Sequence, residues 1–151
     1  MSAAAPNDDR GALCEMRDAS GTFALFLPRP DCAVSRVRGH FSLAMAREWV
    51  DTIDPLFGVG RRFHTLHDWE AMTSYDSEAR KLLTKWVVQR RGLVRSARFI
   101  AGSPLVALGI ATAGLGAAIA GLELRVCSRR EFDQVLAQML AGEPPAEGRA
   151  S

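Results

Sequence analysis

The stretch that decides the fold covers residues 63–88 and reads FHTLHDWEAMTSYDSEARKLLTKWVV. Its opening run is short and apolar, which is typical of a buried strand. A polar loop follows over residues 70–75, and apolar residues then recur every three or four positions over 76–91, as in an amphipathic helix. Asp68 ends the predicted strand and Asp76 begins the predicted helix. The two acids therefore bracket the loop, and we expect function at this junction.

Upstream of this stretch, the sequence predicts a hairpin and then a helix. The apolar runs TFALFL (22–27) and CAVSRVRGHF (32–41) are separated by Pro-Arg-Pro-Asp, which turns the chain. Apolar residues at helical spacing follow over 43–56, and Ser42 is placed to cap that helix at its N-terminus. The ordered part of the chain therefore begins with two paired strands.

Downstream, strands and helices alternate. We predict a strand over 94–101, a helix over 105–118, a strand over 122–126, and a last helix that starts at the capping box formed by Ser128 and Glu131. Right-handed crossovers between successive strands make these strands parallel and place helices on the sheet. The predicted order after the hairpin is that of an α/β domain.

Length and composition predict one domain with two flexible ends. The 151 residues are enough for a single core. Residues 1–20 and 142–151 hold few large apolar side chains, and such segments bury too little surface to offset the entropy of ordering. We therefore expect a flexible N-terminal tail, a domain over 21–141 and a flexible C-terminal tail.

The charge and cysteine content exclude several classes of function. A net charge of +2 gives no strong electrostatic attraction to nucleic acid or to a membrane surface. The three cysteines are far apart and lack CxxC spacing, which argues against a disulfide framework and against structural zinc. The acidic N-terminus has no apolar core of a secretory signal. We expect a cytoplasmic protein that binds no cofactor.

The segment 104–120 is apolar throughout and rich in Ala and Gly. Its length matches only the shortest membrane spans, about 17 residues, and Ala and Gly contribute little transfer free energy. A buried helix of a sheet protein is favoured, and we expect no membrane span. Each interior glycine costs about 1 kcal/mol against Ala, so this helix either depends on close packing or breaks.

The sequence offers no catalytic residues and no metal site. In a strand, His64 and His67 point to opposite faces, so the two rings cannot bind one ion without a bulge. His40 stands alone in the sequence. A nucleophilic Ser or Cys needs a base and an orienting group, and no GxSxG pattern is present. We therefore expect a protein that is not an enzyme.

The spacing of the two acids resembles that of the STAS domain, the anti-sigma-factor antagonist fold. In that family an Asp ends the third strand, and eight positions later Asp-Ser-Ser-Gly opens a helix. Here Asp68 is followed eight positions later by Asp76-Ser77-Glu78-Ala79, and the final SRREFDQVLAQML also resembles the family's last helix. The resemblance implies a mixed sheet of about five strands, with an N-terminal hairpin and about four helices.

The sequence departs from the family at the switch position. In STAS domains the second Ser of the motif is phosphorylated by a partner kinase, and Glu78 stands there in this chain. A phosphoserine adds about −1.5 to −2 charge at neutral pH, whereas a Glu adds about −1 permanently. Three hypotheses remain: Glu78 locks the domain in one state, the modification moves to Thr73, Ser74 or Ser77, or the switch is lost.

The resemblance implies a non-enzymatic regulatory module that acts through protein–protein contacts in a bacterial cytoplasm, in transcription regulation. Its expected partner is a kinase-type anti-sigma factor or another STAS protein, and the hairpin edge offers a strand for homodimers. The predicted partner-binding and switch residues are Asp68, Thr73, Ser74, Asp76, Ser77 and Glu78.

Two alternatives stay open. Asp76 and Ser77 are also explained by a plain helix N-cap, worth about 1 kcal/mol. In the second alternative the protein carries a lipid or small apolar ligand and uses segment 104–120 as a lid or pocket wall.

Overall fold

The computed structural model describes residues 11–57, 62–119, 121–122 and 124–142. The strands in this part of the chain are β1 (Ala12–Arg17), β2 (Gly21–Arg29), β3 (Cys32–Phe41), β4 (Phe63–Trp69), β5 (Met72–Tyr75), β6 (Val94–Ala101) and β7 (Leu124–Val126). The helices are α1 (Leu43–Ile53), α2 (Ser77–Gln89), α3 (Pro104–Ile119) and α4 (Arg129–Leu140), with a short 3-10 turn at Asp54–Phe57.

These strands form one mixed sheet in the order β1-β2-β3-β4-β6-β7, and β5 pairs with the end of β3. The pairs β1–β2 and β2–β3 are antiparallel, whereas β3, β4, β6 and β7 run parallel to one another. The predicted hairpin and the parallel strands with crossover helices are confirmed. The sheet has seven described strands rather than about five.

The two additional strands correct two predictions. Strand β1 lies inside the predicted tail 1–20, because Cys14 and Met16 pack against the core while the backbone pairs with β2. Strand β5 lies inside the predicted loop 70–75, where Met72 is buried and the backbone pairs with β3. Residues 1–10 and 143–151 of the predicted tails lie outside the described residues.

The helices cover the two faces of the sheet unequally. One large core cluster joins the sheet to α1, α2 and α3 and includes Trp49, Trp86 and Ile110. A smaller cluster on the other face joins the sheet to α4 through Leu66, Phe132 and neighbouring residues. We call these the three-helix face and the α4 face.

Helix ends follow the predicted chemistry. Ser42 accepts a hydrogen bond from the Met45 backbone N–H at 3.3 Å, which caps α1. Ser128 and Glu131 form the predicted capping box at the start of α4.

Helix α3 is continuous and lies close to the sheet. Its Gly109 faces Tyr75, and a Cβ added there would lie 2.5 Å from the phenol oxygen. The close packing expected of this glycine-containing helix is therefore present. Within the described residues, no helix has the length and apolar character needed to cross a membrane.

Candidate functional site

Asp68, the first predicted site residue, lies on the α4 face in an ion-pair cluster. Arg129 of α4 donates from Nη2 to Asp68 Oδ1 at 2.9 Å and from Nη1 to Oδ2 at 3.3 Å, and it also bonds Glu70. Arg36 of β3 lies 3.5 Å from Asp68 Oδ2. Desolvation opposes the charge of Arg129, but the hydrogen bonds to Asp68 and Glu70 outweigh it and raise the pKa of Arg129. Asp68 therefore ties α4 to the sheet.

Asp76 stands at the N-cap position of α2, but its side chain serves a different helix. Its Oδ2 accepts the backbone N–H of Leu43 at 2.8 Å, at the first residue of α1, and its Oδ1 lies 2.9 Å from His40 Nε2. No side-chain cap bond to α2 is made. These hydrogen bonds, from Leu43 first and then from His40, lower the pKa of Asp76. The plain N-cap explanation is therefore wrong for the Asp76 side chain.

His40 joins Asp76 to Ser74, so it does not stand alone as its sequence position indicated. His40 Nδ1 lies 2.7 Å from Ser74 Oγ, and these two residues are register partners of β3 and β5. Ser, His and Asp are the residue types of a nucleophile relay. The adjacent residues Phe41 and Tyr75 line the cavity described below, whereas His40 and Ser74 are not part of its lining. Ser74 thus faces away from that cavity, and the relay acts as a brace between the ends of β3, β5 and α1.

The remaining predicted switch residues lie on the surface. Thr73, Ser77 and Glu78 are exposed. Glu78 pairs with Lys81 at 2.9 Å on the outside of α2. The structure therefore brings Ser74 and Asp76 together through His40, with Ser77 and Glu78 next along the chain. Asp68 bonds instead to Arg36 on β3 and Arg129 on α4.

A cavity of about 70 Å³ lies between the sheet and the helices of the three-helix face. Six aromatic side chains contribute to its lining, and α3 supplies one wall through Val106, Gly109, Ile110, Ala113 and Ala117. All three tryptophans of the chain contribute, together with Phe41, Tyr75 and Phe99. The lining residues Arg80, Thr84 and Ala113 are only half-buried, so the cavity approaches solvent between α2 and α3.

His67 is one of two buried polar residues that line this cavity, together with Thr65. Its ring stacks on Phe99 with centroids 4.3 Å apart, and its Nδ1 lies 2.7 Å from Ser35 Oγ. Ser35 Oγ also accepts the Trp69 indole N–H at 3.1 Å. Desolvation lowers the pKa of His67 to about 3, so the ring is neutral near pH 7. The sequence predicted that His67 and His64 point to opposite faces of the sheet, and this is confirmed. His64 lies outside the cavity lining and contacts Ser96.

Metal binding was not expected, and in the described ranges no group of three or more potential ligands is close enough to hold an ion. One open alternative used segment 104–120 as a pocket wall, and α3 does line the cavity, but the roles of His40 and His67 were not predicted. The alternation in β4 predicts that Thr65, His67 and Trp69 share one face of the sheet.

The comparisons with known proteins address the fold. No protein-family model matches this chain, and no curated protein matches its sequence. Among solved structures, the chain is similar to an uncharacterized protein of the DUF3478 family from Shewanella loihica PV-4 that has a SpoIIAA-like fold. The likeness has a TM-score of 0.58 and covers 79% of this chain and 97% of that chain, at 12% identity.

The chain has a SpoIIAA-like fold. This is the fold of STAS domains and anti-sigma-factor antagonists, as the spacing of Asp68 and Asp76 indicated. At such low identity the likeness establishes the STAS fold alone.

Proposed function

We propose that this STAS-fold domain is a non-enzymatic binding protein that holds a small apolar ligand between the sheet and α3. The cavity carries this proposal, because it is the place where the three-helix face leaves space beside aromatic and aliphatic side chains. Ligand sites are typically concave, apolar and lined by a few convergent polar groups. The Ser74–His40 relay lies on the opposite side of the strands, which favours binding without catalysis.

The size of the cavity limits how tightly a ligand can bind. A volume of about 70 Å³ has room for about five water-sized groups. Burying about five apolar groups contributes roughly 4 kcal/mol, which corresponds to a Kd of about 1 mM. A ligand that binds more tightly must bury more apolar surface, which requires α3 to stand further from the sheet. Helix α3 would then act as the lid of the site.

The outer side of α3 gives this proposal a matched control. Ala113 lines the cavity, whereas Leu115 of the same helix is 72% exposed. We expect native mass spectrometry of gently purified wild-type protein and of Leu115→Phe to show a co-purified apolar molecule. Ala113→Phe fills the cavity and should lose it. Bare protein in all three samples would exclude a tightly bound ligand held by an outward shift of α3.

A second candidate function, which the STAS fold suggests, is protein–protein contact at the start of α2. The observation that favours it is the exposure of Ser77 and Glu78, while the Asp76 carboxylate is held in place by His40 and Leu43. Glu78 supplies a permanent negative charge near a positive helix N-terminus. We propose a kinase-type anti-sigma factor or another STAS protein as the partner of this surface, and a homodimer through β1, the edge strand among the described residues.

Charge reversal tests this second candidate. Glu78→Lys should lose a partner that wild-type protein captures from its native cell, whereas Glu15→Lys, an exposed reversal on β1, should keep it. Equal capture by both variants would place the contact elsewhere. Incubation with cell extract and ATP, followed by phosphate mapping, separates the three switch hypotheses. Phosphate on Thr73, Ser74 or Ser77 would exclude a state locked by Glu78, and Ser74 is the least accessible because it bonds His40.

A further inference from the structure

The polar end of the cavity shows which ligands it can select, provided that the cavity is the binding site proposed above. His67 is 6% exposed and lines the cavity. Its Nδ1 is bonded to Ser35, and no partner of its Nε2 is found in the described part of the chain. Among those same residues, every fully occluded side-chain nitrogen or oxygen has a hydrogen-bond partner. His67 Nε2 is therefore not sealed, and the cavity is the open space beside it.

Ser35 decides which nitrogen of His67 carries the proton. A serine hydroxyl has one proton to donate and two lone pairs that accept. The Trp69 indole can only donate, so its N–H occupies one lone pair of Ser35 Oγ. Ser35 is 1% exposed, and His67 Nδ1 is the acceptor within reach of its proton.

Burying a hydroxyl proton without an acceptor is costly, so Ser35 donates to Nδ1. A neutral ring that accepts at Nδ1 carries its own proton on Nε2. The Trp69–Ser35–His67 chain therefore fixes one tautomer and leaves an N–H donor at the cavity, where the other buried polar lining residue, Thr65, donates its hydroxyl to the Ser96 carbonyl.

We propose that the cavity selects a small apolar molecule that carries one hydrogen-bond acceptor, such as a carbonyl or ether oxygen, and that this oxygen binds the Nε2–H of His67. An apolar molecule without an acceptor displaces water from this donor and leaves it unpaired, which costs affinity. His67 is then a specificity-determining residue, and Ser35 is the positioning residue that sets its tautomer.

Two molecules of the same shape test this selection. Cyclopentanone and methylenecyclopentane differ in an oxygen against a CH₂ group, and both approach the size of the cavity. Their Kd values are measured by NMR titration at millimolar concentration, with wild-type protein and with His67→Phe. The preference for the ketone, expressed as the ratio of the two Kd values, should fall about fivefold in the variant, as expected for one buried hydrogen bond.

The outcomes separate the two proposals. Binding of both molecules with an unchanged ratio in His67→Phe overturns the selection by His67 and leaves apolar binding in the cavity intact. If neither molecule binds wild-type protein, or if both still bind Ala113→Phe, the cavity is not the site and both proposals fail.

A measurement on the unsubstituted protein avoids any dependence on how His67→Phe folds. Long-range ¹H–¹⁵N correlation spectra distinguish the two neutral tautomers of a histidine. We expect wild-type His67 to be protonated at Nε2, and Ser35→Ala to give a mixture of tautomers with a reduced ketone preference. Protonation at Nδ1 in the wild-type protein would overturn the inference.

Discussion

The two faces of the sheet are packed in different ways, although β4 contributes side chains to both. On the α4 face, Cys32 is fully buried with its Sγ 3.2 Å from Met139 Sδ, and burial raises the pKa of the Cys32 thiol to about 12. At the edge of that face, Asp68 and Arg129 close the contact with an ion pair. The three-helix face has more helices and larger side chains, yet it keeps a cavity of about 70 Å³.

The cavity lies among six aromatic rings, whereas the α4 face is filled mainly by aliphatic and sulfur-containing side chains together with Phe26 and Phe132. Bulky planar side chains cannot interdigitate as well as aliphatic ones unless their neighbours match their shape, and native cores leave few voids. Alternate residues of β4 point to opposite faces of the sheet. Leu66 and Asp68 lie on the α4 face, whereas His67 and Trp69 line the cavity on the three-helix face. We therefore expect substitutions on the α4 face to change stability without changing ligand binding, and substitutions of cavity-lining residues to change ligand binding.

The largest expected effect is the loss of stability caused by truncating a core side chain on the α4 face. Phe132 is 2% exposed, and Phe132→Ala should lower the free energy of unfolding by about 3–5 kcal/mol, because a closed core collapses poorly around a new void. Urea denaturation measures the change. Leu140→Ala, on the same helix at 59% exposure, should cost at most about 0.5 kcal/mol. A small loss for Phe132→Ala would show that this face is not closed.

The next effect is a loss of stability in acid that originates on the three-helix face. His67 has a folded-state pKa of about 3 against 6.5 for the free side chain, so the unfolded state binds a proton that the folded state rejects. His67 therefore leaves the free energy of unfolding undiminished above pH 6.5 and lowers it as the pH falls toward 3, by about 1.4 kcal/mol per pH unit.

Urea titrations at several pH values between 6.5 and 4.5 should show a loss of about 2–3 kcal/mol in wild-type protein. His67→Phe should flatten this slope. His64, whose pKa is also lowered by burial, gives a slope of the same sign that the variant retains. Equal slopes in the two proteins would mean that His67 does not stay neutral in the folded state.

The ion pair on the α4 face predicts a smaller effect. The Asp68 side chain is 14% exposed and accepts two hydrogen bonds from Arg129. Asp68→Ala should cost about 2 kcal/mol in thermal or urea unfolding, because it removes the buried acceptor that Arg129 and Arg36 share and leaves Arg129 with the exposed Glu70. Asp133 lies 3.6 Å from the same Arg129 but is 60% exposed, so Asp133→Ala should change stability by less than about 0.5 kcal/mol. Neither variant should alter ligand binding in the cavity.

The smallest effects distinguish the glycines of α3. At Gly116 an added Cβ would meet its nearest atom at 3.8 Å, so Gly116→Ala should stabilise the protein by up to about 1 kcal/mol through helix propensity. At Gly109 the same atom would lie 2.5 Å from the Tyr75 phenol oxygen, so Gly109→Ala should give no such gain and should reshape the cavity. Melting temperatures measure both changes, and an equal gain at Gly109 would show that α3 is not held against Tyr75.

Local rules in the sequence were sufficient for most elements of the fold. The hairpin, the cap at Ser42 and the capping box at Ser128 all depend on residues near one another in the chain. Strand β1 was missed because its alternation of Cys14 and Met16 with charged neighbours is weak, and its pairing with β2 provides the order. Strand β5 has only four residues, which is too short for a periodic signal.

The sites were harder to predict because they depend on register and on packing between distant elements. His40 meets Ser74 and Asp76 only because β3 pairs in parallel with β5, and no spacing in the sequence encodes that register. The cavity likewise depends on how close α3 comes to the sheet, which Gly109 and Tyr75 set together. Spacing did indicate the STAS fold, but it could not show that the Asp76 side chain bonds the start of α1.

The position of the tryptophans has a practical consequence. Trp49, Trp69 and Trp86 all line the cavity, and the rings of Trp49 and Trp86 meet edge to face with centroids 6.0 Å apart. Indole emission and the coupling between neighbouring indoles both respond to local polarity and ring geometry. The protein therefore carries a built-in optical reporter, and its fluorescence and near-ultraviolet circular dichroism should follow the filling of the cavity without any added label.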